Sequence, residues 1–242
     1  MKKLIVSLFS IAVLIGGAAG VASAESNGKT DLNLDALKTE YETWLKEEVS
    51  SSQDIELLES LEAYEQLSEE EQLKYIDYMY NPEAQEAVMD AFTNIVEVDN
   101  SQTLTETLDD YEGIEISTEV VTPSVNKDDI SIMASRTSTY KRYVTVFGIK
   151  IFQSTSVVDY THNGKKVTGV GAGDHYVSRN LNPTLNISWS GKRQTYSSTR
   201  AQSRVNMQWN FVHKNLGITY GGGELGVWGN HKNQAGGWFN AH

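Results

Sequence analysis

The sequence predicts an α+β chain segregated by position: a small acidic all-α N-terminal region followed by an antiparallel all-β sandwich or barrel. Three observations carry this. Apolar residues recur at helical spacing from Asp31 to Ile95. Beyond Thr139, short runs rich in β-branched and aromatic residues alternate with turn signals. The charge changes sign at the same place: residues 25–135 carry 5 lysines, no arginine and 29 acidic residues, a net of −24, whereas residues 136–242 carry 13 Lys and Arg against Asp159, Asp174 and Glu224, a net of +10.

The chain begins with a cationic Met1-Lys2-Lys3, an apolar stretch from Leu4 to Val21, and Ala22-Ser23-Ala24, a small-x-small cleavage site before Glu25. This is the pattern of a secretory signal peptide, so residues 1–24 are expected to be removed. A membrane anchor is the competing reading, because the apolar run is nearly long enough to span a bilayer. The expected mature protein is secreted, extracellular or associated with a cell surface. It has no cysteine, so neither disulfides nor thiolate metal sites can hold it together.

Residues 25–98 are expected to form three or four short helices. Leu34, Leu37, Tyr41, Trp44 and Leu45 share one stripe, and similar stripes run through Ile55–Tyr64, Leu73–Met79 and Val88–Ile95. Ser68 with Glu71 reads as a capping box, and Asn81-Pro82 as an N-cap followed by proline at the first helical position. Residues 99–138 lose this period and are expected to be a linker or an ordered arm, with one strand-like run from Ile114 to Val121. An exposed linker would offer a second proteolytic site near Ala134-Ser135-Arg136, the end of a propeptide.

Residues 139–242 are expected to be the basic β domain. His162-Asn163-Gly164-Lys165 between two β-prone runs predicts a hairpin with a type I′ turn. Val205, Met207, Trp209 and Phe211 alternate with Arg204, Asn206, Gln208 and Asn210, which predicts one face on a core and one on water or a ligand. Leu216–Trp228 is expected to form two short strands joined at Gly221-Gly222-Gly223, and the run from Gly169 to Asp174 is read as a turn.

Known catalytic patterns are absent from this reading: no His-Glu-x-x-His, no Gly-x-Ser-x-Gly, no phosphate loop and no thiol nucleophile. No catalytic residue, metal or cofactor is therefore expected. All five histidines (His162, His175, His213, His231 and His242) lie in the basic half, with Asp159 and Asp174 near the first two, but their spacing shows no convergence. They read as solvated surface histidines.

The remaining signal is electrostatic. Lys141, Arg142, Lys165, Lys166, Lys192, Arg193, Arg200 and Arg204 are spread over strands and turns with little acid to balance them, and Trp238, after Gly236-Gly237, fits a core least well. These nine residues are the candidate binding surface. An excess of this size attracts polyanions. The expected partner is an anionic cell-envelope polymer or membrane surface, with no specific nucleic acid. The acidic half, joined to this surface, would contact it within the molecule and compete for it.

The reading that follows is a secreted, non-enzymatic preproprotein whose basic domain acts at a bacterial cell envelope, in an antibacterial, bacteriocin-like manner or otherwise, and is masked by the acidic helices. Two other classes remain open. One is a secreted enzyme acting on extracellular or cell-wall polymer through Asp174 and His175, and the other is a structural surface or matrix protein.

Overall fold

Each of the four helices among the described residues starts where a side chain can take up a backbone amide that has no partner in the helix. In the computed structural model, which describes residues 32–52, 54–93, 98–99, 103–122, 134–213 and 217–241, α1 (Leu34–Ser51) begins with Asn33, whose Oδ1 accepts from the Ala36 amide at 3.1 Å. Asp54 does the same for α2 (Ile55–Gln66), accepting from Glu56 at 2.9 Å. The expected capping box opens α3 (Glu69–Tyr80): the Ser68 hydroxyl accepts from the Glu71 amide, and the Glu71 carboxylate accepts from the Ser68 amide at 2.9 Å. Pro82 opens α4 (Pro82–Thr93), with Asn81 accepting from Glu83 at 3.0 Å. Residues 1–31, on which the expected leader and cleavage site fall, lie outside the described residues. Among the described residues no helix is long and apolar enough to cross a membrane.

The helices turn their apolar stripes inward. Tyr41, Tyr64 and Tyr75, from α1, α2 and α3, bring their ring centroids within 5.1–5.6 Å of one another, and the hydroxyls of Tyr41 and Tyr75 bond at 2.8 Å. Bonding two buried phenols to each other satisfies groups that would otherwise be costly to desolvate.

Among the described residues ten strands follow: β1 (Val98–Asp99), β2 (Thr103–Thr107), β3 (Ile114–Val121), β4 (Ala134–Val146), β5 (Ile149–His162), β6 (Val167–Asn180), β7 (Leu185–Tyr196), β8 (Ala201–His213), β9 (Gly217–Gly229) and β10 (Ala235–Ala241). They form two antiparallel sheets. The first has the order β2-β3-β4-β5-β6 and the second β1-β10-β9-β8-β7. The protein is thus mixed α+β, with its sheets in the C-terminal part.

Phe147 and Gly148 both have positive φ (48° and 79°), the pattern of a type I′ turn between β4 and β5. Several local expectations need correction. The Asn163-Gly164 connection is wider than a type I′ turn. Only Gly164 has positive φ, and the Asn163 carboxamide oxygen accepts from the amides of Lys165 and Lys166 (3.1 and 3.0 Å), so the loop is built on an asparagine side chain.

Gly221-Gly222-Gly223 is no turn either. It lies inside β9, where a Cβ on Gly221 would collide with the Trp209 ring and one on Gly223 with Asn240 and Phe239. Gly169–Asp174 belongs to β6, which pairs with β5 through three register shifts. Glycine in these strands marks close approach, not chain reversal. Ala134-Ser135-Arg136 is not an exposed linker: it is the start of β4, paired with His162, Thr161 and Tyr160.

The boundary between acidic and basic residues is not a boundary in the packing. Leu32–His242 form one compact unit, and a single buried cluster contains Tyr75 and Phe92 from the helices, Ile114 and Val120 from β3, and Val205, Leu225 and Phe239 from the second sheet. Phe92 is the hinge of this packing. Its ring meets Phe152 at 5.3 Å and Phe239 at 5.8 Å, one from each sheet. Arg142 on β4 completes the join. It is 2% exposed, and its guanidinium donates to the carbonyls of Phe92 (2.7 Å) and Ala91 (2.8 Å) in the last turn of α4 and to the Thr118 hydroxyl (2.5 Å). Helix C-termini carry unsatisfied carbonyls and partial negative charge, so a buried cation belongs there.

Phe92→Ala is expected to cost about 3–5 kcal/mol of stability, and Arg142→Lys about 1–3 kcal/mol, because lysine cannot reproduce the fork. Denaturant unfolding should show one transition followed equally by helical and sheet signals. Separate helical and sheet transitions would contradict the shared core.

Candidate functional site

Alternation along the strands of the second sheet sets up two different faces. Val205, Met207, Leu225, Val227 and Phe239 are buried on the inner one. Arg204, Asn206, Gln208, Glu224, Trp238 and Asn240 therefore point outward, and Asn206, Gln208 and Asn240 are exposed.

Register aligns part of this outer face into a row. Arg193 on β7 lies opposite Arg204 on β8, Arg204 opposite Gly226 on β9, and Gly226 opposite Trp238 on β10. Neighbouring strands are about 4.8 Å apart, so the row spans ~14 Å. A Cβ on Gly226 would collide with the Trp238 indole, which means the ring lies flat on bare backbone. One carboxylate sets both neighbours: Glu224 accepts from the Trp238 indole N–H at 3.3 Å and from the Arg204 guanidinium at 3.1 Å. Beside this row, Ser190, Asn206, Glu224 and Asn240 form a second. A third aligns Thr195, Gln202 and Trp228, and the Arg200 guanidinium sits 4.0 Å from the Trp228 ring centroid.

The other candidate cations are dispersed. Lys165 and Lys166 are exposed in the β5–β6 loop. Lys192 pairs with Asp174 at 3.3 Å and Lys141 with Glu119 at 3.3 Å. Arg142 is the correction in this set: it is interior, its donors are used on α4 and Thr118, and it cannot be part of a binding surface. Of the nine candidates, the structure brings Arg193, Arg204 and Trp238 into one row. Glu224, Asn206 and Asn240, which complete the face, were not singled out as site residues, although strand alternation already placed Asn206 on the polar side.

Two histidines also depart from the surface reading. His175 on β6 is 7% exposed. Its Nδ1 bonds the Ser156 hydroxyl and its Nε2 the Ser203 hydroxyl, each at 2.8 Å, tying β5 and β6 of the first sheet to β8 of the second. Each hydroxyl can donate or accept, so either neutral tautomer is satisfied. Burial, followed by the Lys192 charge, pushes the His175 pKa from 6.5 down to about 4, with Asp174 acting the other way.

Asp174 faces outward on the opposite side of β6. Its carboxylate holds Lys192 and the His175 backbone amide, and Lys192 keeps its pKa low. Asp174 and His175 are thus neighbours in sequence that serve opposite faces. His162 is buried as well: its Nδ1 accepts from the Gly164 amide at 3.1 Å, and burial, Arg136 and His231 hold its pKa down. The side chains of His213 and His242 lie outside the described residues. Among the described residues, no three His, Asp or Glu gather as a metal-holding group.

His175 gives the fold a pH dependence. Its folded pKa is depressed, so its stabilising contribution is complete above pH 6.5 and is lost as pH falls toward 4, by up to about 3 kcal/mol. Unfolding free energies measured from pH 7 to pH 4 should fall more steeply for the wild-type protein than for His175→Gln, and equal slopes would remove the assignment.

No family model matches the chain, and no curated protein or solved structure matches it either, so the chemistry of these two places is what speaks to function.

Proposed function

We propose that the chain is an exported, non-enzymatic protein that binds an anionic polymer of a bacterial cell envelope through the basic surface of its β region, with the two sheets stacked as a sandwich that presents this surface. The observation that carries the reading is the unbalanced charge: 13 Lys and Arg against 3 acidic residues from Arg136 onward. Lys165, Lys166 and Arg193 are exposed and have no acidic partner among the described residues. Cations placed this way attract polyanions over a distance set by salt.

The acidic helices temper that attraction. Glu56 on α2 accepts from Arg179 at 2.6 Å, and the end of α4 takes Arg142, so two arginines of the basic half are already engaged by the helical part. The rest of the masking is a field effect of exposed carboxylates on the same molecule. Both ring nitrogens of His175 are held by serine hydroxyls between the sheets, which supports a structural role for this histidine.

Mature protein should sediment with purified anionic wall polymer at low salt and be released as salt rises. Reversing Lys165, Lys166 and Arg193 to Glu is expected to weaken binding about a hundredfold at low salt, since each basic side chain at an anionic surface contributes favourably. Replacing Glu47, Glu48, Glu59, Glu62 and Glu65 by Gln in the intact chain should tighten it. Unchanged binding in both variants would remove the electrostatic reading, and binding to anionic vesicles in place of polymer would move the target to the membrane.

A further inference from the structure

Arg193 and Arg204 stand directly opposite each other on adjacent strands, Arg193 exposed and Arg204 half-buried. Like charges in that position destabilise a sheet. Only one of the pair is compensated: Glu224 engages Arg204, and Arg193 has no acidic partner among the described residues. A free guanidinium fork suits a phosphate or carboxylate group, which it can meet with two parallel hydrogen bonds.

The aromatic end of the same row has a different chemistry. Trp238 rests one ring face on Gly226, and its indole N–H is engaged by Glu224. The ring is therefore fixed in orientation before any ligand arrives, which removes part of the ordering cost of binding. It is only half-buried. Exposed Asn206 and Asn240 lie on either side of Glu224 in the adjoining row, and each carboxamide offers both a donor and an acceptor. An aromatic plane packs on the apolar C–H face of a pyranose ring, and paired amides suit its hydroxyls. An anion fork and a sugar platform about 14 Å apart match a chain in which both features repeat.

We infer that the row Arg193–Arg204–Gly226–Trp238 is a subsite for a phosphate-bearing polymer substituted with hexose rings, with Arg193 taking the phosphate and Trp238 the ring. The inference rests on the proposed binding of anionic envelope polymer and narrows it to one face and one ligand class. It also gives the outer face of the second sheet a role that net charge alone does not. Lys165 and Lys166, in a loop of the other sheet, then contribute attraction without selectivity.

The test compares poly(glycerol phosphate) carrying hexosyl substituents with the same polymer stripped of them, at matched phosphate concentration. Wild-type protein is expected to bind the substituted form about tenfold more tightly, the scale of one well-packed aromatic contact. Trp238→Leu should abolish that preference while keeping affinity for the bare polymer, Trp238→Phe should retain most of it, and Arg193→Gln should weaken both polymers and keep the ratio. On unmodified protein, oxidative footprinting should show Trp238 protected by the substituted polymer and not by the bare one, an outcome that does not depend on any variant folding. Equal binding of both polymers by wild type, or a preference that survives Trp238→Leu, would overturn the inference and leave the broader reading standing. Failure of wild type to bind either polymer would remove the broader reading itself.

Discussion

A buried guanidinium at the end of a helix organises this protein. Arg142 belongs to the middle strand of the first sheet, yet two of its donors point into the last turn of α4, and a third reaches the Thr118 hydroxyl on β3. A cation this deep is tolerable only because carbonyls with no helical partner surround it, and burial depresses its pKa without depriving it of charge. The contact fixes where α4 lies, and with it Phe92, whose ring reaches a phenylalanine of each sheet. An acidic helical half and a basic sheet half are thereby made to share one interior. Opposite net charges on the two halves favour their association at long range, but the join itself is apolar and is built from hydrogen bonds to backbone.

The parts of this architecture governed by local chemistry were legible in the sequence. Capping at Ser68 with Glu71 and proline after Asn81 depend on residues a few positions apart, and Ile114–Val121 forms a strand over the bounds its composition suggests. Glycine was misread wherever its role is tertiary. Gly221 and Gly223 look like turn residues because nothing nearby in sequence reveals the rings of Trp209 and Phe239 that need their space. His175 was taken for a surface residue for the same reason: Ser156 and Ser203, which satisfy it, come from strands 19 and 28 positions away. Arg142 reads as part of the basic binding surface until α4 is seen to end against it.

The candidate site shows the same division. Alternation already assigned Arg204, Asn206 and Gln208 to the polar side of β8, but the register that carries Arg193 to Arg204 and on to Trp238 passes through four strands and a bulge between Ser190 and Arg193. Sequence supplied the charge excess, and the fold supplied the row. The inner face of the second sheet closes the core, while its outer face carries the amides, the Arg pair and the supported indole on which the proposed subsite rests.

The claim most in need of direct measurement is that the acidic helices are a permanent part of the working protein. Intact mass spectrometry of the species recovered from the medium of producing cells tests it. The shared core around Phe92, Ile114 and Arg142 predicts a product that keeps its helices, beginning at Glu25 where the proposed leader is removed. A lone product beginning near Arg136 would contradict it, since such a chain would lack β2, β3 and α4 and would have to close its interior in some other way.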